Sequence, residues 1–248
     1  MPPYVRPIVA AGRATGLLSL FLACSPAPGK TASPAVTVPL YATVPADRTP
    51  SDDGQWLMAG RDYANTRFSG LTEITADNVA RLRVAWTFST GVLRGQEAAP
   101  IVAGRTMYLV TPYPNLLHAL DLERRGELRW TYAPRPAPAA QGVACCDVVN
   151  RGAAYADGRL FYNTLDNQTV AVDAASGREL WRTKLGDINT GESMTMAPIV
   201  VKGKVLVGNS GGEFGVRGWI KGLDAGTGEV SWTAYSTGPD DDVKIGPE

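Results

Sequence analysis

Two of the three cysteines, Cys145 and Cys146, are adjacent in Gln-Gly-Val-Ala-Cys-Cys-Asp-Val-Val-Asn-Arg-Gly, residues 141–152. Neighbouring Cα atoms lie ~3.8 Å apart across a trans peptide, whereas ordinary disulfides span roughly 4.4–6.8 Å. The pair is therefore either two free thiols in a strand or, if bonded, a small strained ring that forms a stiff, flat platform. Five residues on from Cys146 stands Arg151, whose planar cationic fork suits an anionic edge. Three further stretches offer complementary groups. Gly95-Gln-Glu97-Ala-Ala-Pro100 carries a carboxylate, and Ser193-Met-Thr195-Met-Ala-Pro198 a hydroxyl. Ser210-Gly211-Gly212-Glu213-Phe214-Gly215 combines a hydroxyl, two glycines that admit close backbone approach, and a carboxylate. Taken singly each is ordinary: Ser-Gly-Gly usually makes a turn, and a Glu or Arg at a strand end is usually solvated. The single histidine, His118, lies in the apolar run Asn-Leu-Leu-His-Ala-Leu-Asp and reads as structural, so a histidine-rich zinc site confined to this chain is excluded.

A repeat positions these stretches. Ala119-Leu-Asp121 to Gly126 to Trp130, Ala171-Val-Asp173 to Gly177 to Trp181, and Gly222-Leu-Asp224 to Gly228 to Trp232 are three copies of one pattern, with the tryptophans spaced 51 and 51. The pattern is a β-hairpin: a strand ends in Asp, the turn needs Gly, and the next strand carries a tryptophan that packs on a neighbouring unit. Trp86 ends a related strand, Leu82–Ser89, 44 residues earlier. Strands are also expected before each hairpin, at Thr106–Thr111, Leu160–Thr164 and Lys204–Gly208. About fifty residues and four strands make one blade of a β-propeller. The expected fold is all-β, with about three blades over residues 84–238; propellers have roughly four to eight. Residues 238–248 read as a loop, and the chain is expected to be the N-terminal part of a longer protein or a truncated reading frame.

Ahead of the blades the chain changes character. Residues 1–24 read as an export signal: Arg6 and Arg13 precede an uncharged, Leu- and Phe-rich run too short to span a bilayer. It ends Phe21-Leu-Ala-Cys24, similar to a lipoprotein cleavage site, which would make Cys24 the lipidated residue and leave the adjacent pair as the remaining cysteines. Simple secretion and an uncleaved anchor are the other readings. Either export route leads to an oxidising compartment. Residues 25–50, with Pro26, Pro28, Pro34, Pro39, Pro45 and Pro50, form an extended linker. The folded part occupies 51–248, opening with a short helix over Ala76–Leu82 capped by Thr75. With 24 basic and 24 acidic residues the chain lacks the electrostatic footprint of a nucleic-acid binder.

Ala-Cys-Cys-Asp-Val-Val-Asn-Arg-Gly, Asp-Tyr-Ala-Asn-Thr, Gly-Glu-Phe-Gly-Val-Arg-Gly and Tyr-Ser-Thr-Gly-Pro-Asp together resemble the PQQ-dependent (quinoprotein) alcohol dehydrogenases of the methanol/ethanol dehydrogenase family, over residues ~55–240. The resemblance implies an eight-bladed propeller that oxidises a short-chain primary alcohol to an aldehyde with pyrroloquinoline quinone (PQQ) and a calcium or lanthanide ion. It implies a Cys145–Cys146 ring disulfide stacked on the quinone, Arg151 at its edge and Glu97 bonded to it. Thr195 would contact a PQQ carboxylate, Ser210, Gly211 and Gly212 would close over the cofactor, and Glu213 would bind the metal. Gln96 and Ala98 depart from the family's commoner His and Gly. The tryptophan on the other cofactor face, the remaining metal ligands and the aspartate base would lie beyond Glu248, so no catalytic base is assigned. With no Cys-x-x-Cys-His haem motif, electrons would pass to a separate cytochrome c. The implied location is the periplasm, with a membrane tether if Cys24 is lipidated and a homo-oligomer left open. A non-catalytic propeller lipoprotein that assists assembly, or an inactive truncated product, are the competing readings.

Overall fold

The structure, a computed structural model, describes residues 53–144 and 147–244. The expected signal, linker and Cys24, and the Cys145–Cys146 pair, lie outside the described residues. Twelve strands build three four-stranded antiparallel meanders. The first blade holds β1 (Ile101–Ala103), β2 (Thr106–Val110), β3 (Leu117–Asp121) and β4 (Glu127–Tyr132). The second holds β5 (Ala154–Ala156), β6 (Arg159–Thr164), β7 (Gln168–Asp173) and β8 (Glu179–Lys184). The third holds β9 (Ile199–Val201), β10 (Lys204–Gly208), β11 (Trp219–Asp224) and β12 (Val230–Tyr235). This is the propeller architecture expected from the repeat.

The period of two along each strand decides which neighbour a side chain meets. On β6, Leu160 and Tyr162 enter the core shared with Ile101, Val110 and Leu117 of the first blade. Phe161 enters the other core, with Val205, Val207 and Leu223 of the third. The second blade is thus covered on both faces, and β7 is buried from Thr169 to Val172. β10 alternates between buried and partly exposed positions, with one covered face.

The hairpin pattern has a physical basis at every position. Asp121 accepts from the Glu123 and Arg124 N–H groups, Asp173 from Ser176, and Asp224 from Gly226 and Thr227, so each carboxylate organises the turn that follows it. Gly126, Gly177 and Gly228 adopt φ of 79°, 74° and 78°, the left-handed region glycine tolerates without strain. Their missing side chains also make room. A Cβ on Gly126 would lie 2.4 Å from Trp86, one on Gly177 2.6 Å from Trp130, and one on Gly228 2.6 Å from Trp181. The tryptophan of each unit therefore lies flat on the turn glycine of the next. The Trp181 indole N–H also donates to the Ala225 carbonyl, at 3.1 Å; one repeat earlier the equivalent Ala174 carbonyl is taken by the Tyr108 hydroxyl, at 3.1 Å.

Three local expectations are corrected. The strand expected at Leu82–Ser89 forms no ladder among the described residues. It is held by side chains instead: Trp86 rests on Gly126, Arg125 donates to the Ala85 carbonyl, and Phe88 meets His118 edge-on at 5.1 Å. The helix expected over Ala76–Leu82 shrinks to a 3-10 turn, Val79–Arg81, and Thr75 does not cap it through its side chain. The Asn78 side chain reaches back to accept from the Thr75 N–H. Residues 238–244, read as a loop, contain a short helix, Asp240–Val243, whose Asp242 pairs with Arg217. His118 is structural, as expected: it is buried, its Nδ1 lies 2.9 Å from the Thr131 hydroxyl, and burial lowers its pKa.

Candidate functional site

The loops that precede the three innermost strands converge. Glu97 lies before β1, Arg151 before β5 and Thr195 before β9, so successive blades each supply one group. Ala99 and Gly152 form a parallel bridge between the first two loops, and the Arg151 N–H donates to the Thr195 carbonyl at 3.0 Å between the second and third. Arg151 spans all three: Nη2 lies 3.3 Å from Glu97 Oε2, and Nη1 donates to Thr195 Oγ1 at 2.7 Å. Both charged side chains are about half exposed, 51% and 48%, so water screens their attraction. The guanidinium therefore retains capacity for a further anion. The Thr195 hydroxyl accepts from Arg151, which leaves its own O–H to donate. Glu97 and Arg151 border an open cavity of about 560 Å³, lined also by Met58, Tyr63, Arg67 and Met196.

The segment after the adjacent cysteines is anchored firmly. Val148, Val149 and Asn150 are buried, and the Val148 carbonyl accepts from the Tyr113 N–H at 2.9 Å. Asp147, at φ 72°, receives the Val148 N–H at 2.7 Å and pairs with Arg94 at 3.3 Å. The Val148 N–H, then the Arg94 charge and the Gly95 N–H, outweigh partial desolvation and hold the Asp147 carboxyl below its ordinary value. This ties Asp147 to the loop that carries Glu97.

The run 193–198 is a loop leading into β9. Its carbonyls turn aside to the Arg151 backbone and to Asn163, and only Ser193 bridges, to Ser210. Ser210 opens the next loop, where Gly211 is buried at φ 127° and a Cβ would sit 2.4 Å from the Gly191 carbonyl oxygen. Gly212 differs: a Cβ there would meet nothing within 4 Å. The close approach expected at both glycines is thus made by the protein at Gly211 only, and the space over Gly212 is open. Residues Gly212–Phe214 form one 3-10 turn that presents Glu213 to solvent. No three His, Cys, Asp or Glu side chains converge among the described residues, so Glu213 could supply one ligand group but not a complete shell.

Several supporting residues have no sequence motif. Asn150 and Asn163 are wholly buried. Glu192 accepts from the Asp187 N–H, the Trp219 indole and the Asn209 amide, at 2.7, 2.9 and 3.1 Å. Burial raises its pKa, but these donors together bring it below the ordinary value. Glu192 is thus a saturated structural carboxylate.

The fold and the converging loops define a β-propeller with a polar site at the entry to its inner strands. Residues 56–246 match the family described as "PQQ: Glucose/ethanol/alcohol dehydrogenase, beta-propeller domain", and the chain belongs to it. It is 54% identical over 195 residues to the lanthanide-dependent methanol dehydrogenase of Methylacidiphilum fumariolicum (strain SolV), covering 78% of this chain and 32% of that one. It is 46% identical over 200 residues to "Methanol dehydrogenase [cytochrome c] subunit 1" of Paracoccus denitrificans, covering 78% and 32%. Among solved structures, a europium-containing methanol dehydrogenase superposes with a TM-score of 0.75 at 55% identity, covering 76% of this chain and 33% of that one. The chain spans about a third of the length of these relatives.

Proposed function

We propose that this chain forms the part of a PQQ-dependent alcohol dehydrogenase that grips one side of the quinone cofactor, in an enzyme oxidising a short-chain primary alcohol of the methanol/ethanol class. The observation that carries the reading is Arg151 bridging Glu97 and Thr195 from three successive blades, beside the Ser210–Glu213 loop. The donor set suits PQQ, which carries three carboxylates and an electrophilic quinone. Arg151 offers a fork to an anionic edge, Thr195 and Ser210 offer hydroxyls, and the open space over Gly212 admits a flat ring. Cys145 and Cys146, as a ring disulfide, would form the platform under one face.

When bound, the quinone supplies the two-electron acceptor for the alcohol. The protein's own contribution from these loops is to hold the cofactor's anionic edge and to orient it beside Glu97 and Arg151. Glu213 would give one carboxylate to a calcium or lanthanide ion, with the remaining ligands coming from outside the described residues. Electrons would then pass to a cytochrome c. Residues 1–24 support export to the periplasm, with Cys24 as a candidate lipid attachment site and 25–50 as the linker; among the described residues no helix is long and apolar enough to cross a membrane. A scaffold lipoprotein would have no use for the Glu97–Arg151–Thr195 cluster, and the identity of 54% over 195 residues to a methanol dehydrogenase favours the dehydrogenase.

The test is reconstitution of the full-length protein with PQQ and either calcium or lanthanum, followed by dye reduction with methanol and ethanol. Alcohol-dependent turnover that needs both PQQ and metal is expected. A protein that neither binds PQQ nor reduces the dye would refute the reading.

A further inference from the structure

We infer that Asn163, a wholly buried residue that touches none of the proposed cofactor ligands, is a positioning residue for the PQQ cradle. The inference rests on the reading above. Asn163 lies on β6, opposite Thr169 on β7. Asn163, Thr169 and Asn150 are all 0% exposed, and a buried amide is retained only where its hydrogen bonds are made. Each polar group of Asn163 used here points toward a different part of the site. Its Nδ2 donates to the Met196 carbonyl at 3.0 Å, one residue beyond Thr195. Its own carbonyl accepts from Asn150 Nδ2 at 2.8 Å, one residue before Arg151. Asn150 Oδ1 in turn accepts from the Gly152 N–H at 2.9 Å, one residue after Arg151. Arg151 is thus held on both sides in sequence, and Thr195 on one, from a single strand position.

The amide cannot flip without penalty. Thr169 Oγ1 donates to Asn163 Oδ1 at 2.8 Å, which fixes the oxygen toward β7 and the NH₂ toward Met196. A second tie supports the same loop: the Gly208 N–H lies 2.9 Å from Met196 Sδ. The Arg151–Thr195 contact is half-exposed and its members are long or free to rotate, so its 2.7 Å geometry needs bracing from beneath. Buried, fully satisfied amides supply such bracing because water cannot compete for them. Without Asn163 the Arg151 and Thr195 loops remain chemically complete but lose their fixed separation, and a rigid polycarboxylate ligand is sensitive to that separation.

The experiment uses the full-length protein prepared free of PQQ. Affinity for PQQ is read by quenching of tryptophan fluorescence and by the visible absorbance of the bound quinone, and apoprotein stability by urea unfolding. Asn163→Ala is compared with Val205→Ala, a cavity-forming change in the third blade's core that removes no hydrogen bond from the cradle loops. The expected result is a loss of PQQ affinity of at least ~10-fold in Asn163→Ala, about 1.4 kcal/mol, with the Val205→Ala protein binding as the unsubstituted one does even where its stability falls further. Equal affinity in Asn163→Ala and the unsubstituted protein overturns the inference and leaves the PQQ reading standing. Failure of the unsubstituted protein to bind PQQ overturns both. If Asn163→Ala does not fold, Thr169→Val decides: it keeps the side-chain volume and removes the hydroxyl that orients the amide. A measurable loss of affinity supports the inference, and none overturns it.

Discussion

Replacing Gly177 with alanine asks two things of one turn, and the structure allows them to be separated. The residue sits at φ 74°, and a Cβ would approach Trp130 to 2.6–3.0 Å at three ring atoms. The left-handed backbone costs a non-glycine residue about 1–2 kcal/mol. Forcing a methyl group against a packed ring costs a further ~1–3 kcal/mol, so Gly177→Ala should lose about 2–5 kcal/mol. Gly158 provides the control. Its φ is 75°, yet a Cβ there meets nothing within 4 Å, so Gly158→Ala should lose only the backbone share, about 1–2 kcal/mol. Urea unfolding followed by tryptophan fluorescence gives both numbers, and each kcal/mol corresponds to about 2–4 °C in a thermal melt of a domain this size. The gap between the two variants measures the docking of Trp130. Adding Trp130→Leu to Gly177→Ala should recover part of the loss, as expected of residues in contact. Equal losses in the two glycine variants would refute the docking account, leaving the repeat glycine as a requirement of turn geometry alone.

Three further outcomes follow from the site and the turns. Gly212→Ala should leave apoprotein stability within about 1 kcal/mol, because its Cβ meets no protein atom, while PQQ affinity falls at least ~10-fold if the ring occupies that space; unchanged binding in a dialysis titration would remove Gly212 from the cradle. Arg151→Lys keeps the charge but cannot reach Glu97 and Thr195 together, so loss of one charged hydrogen bond, about 1.5–3 kcal/mol, should weaken PQQ binding by roughly 10- to 100-fold with little change in urea stability. Asp121, Asp173 and Asp224 have carboxyls held below 3.8, chiefly by Arg129, Ser176 and Lys204 respectively. A depressed carboxyl contributes stability that is present above its unfolded value and lost as pH falls through its folded one. Acid unfolding should therefore begin below about pH 3.8 for these groups, and Asp173→Asn should flatten that fall while costing stability at neutral pH; an unchanged acid profile would count against the turn carboxylates.

The propeller was legible because one repeat unit states its whole physics locally. Asp173, Gly177 and Trp181 lie within nine residues of one another, and cap, turn and docking ring are all decided there. The strand Lys204–Gly208 has the bounds its apolar alternation predicts. Leu82–Ser89 shows the limit. Its alternation is as clear, but pairing needs a partner edge, which no local pattern can supply. The site divides the same way. Glu97, Arg151 and Thr195 stand out in the sequence because they resemble a known constellation in order along the chain, and the fold brings the three together. Asn150, Asn163 and the Arg94–Asp147 pair were missed because a polar residue in a strand or loop looks solvated until its burial is known. Asn163 in particular sits between Tyr162 and Thr164 with nothing in its neighbours to mark an inward-facing amide.

The direction of the tryptophan docking has a consequence for synthesis. Each ring is received by the glycine of the following unit, from Trp86 to Gly126, Trp130 to Gly177 and Trp181 to Gly228. Assembly is therefore polar, like a filament that grows from one end. A blade emerging from a ribosome finds its neighbour's ring already waiting, and it carries the next ring out with it. Trp232, on the third blade, is 40% exposed. Vectorial addition of this kind keeps every intermediate committed to its successor, and it limits the sticky surface to a single terminal face.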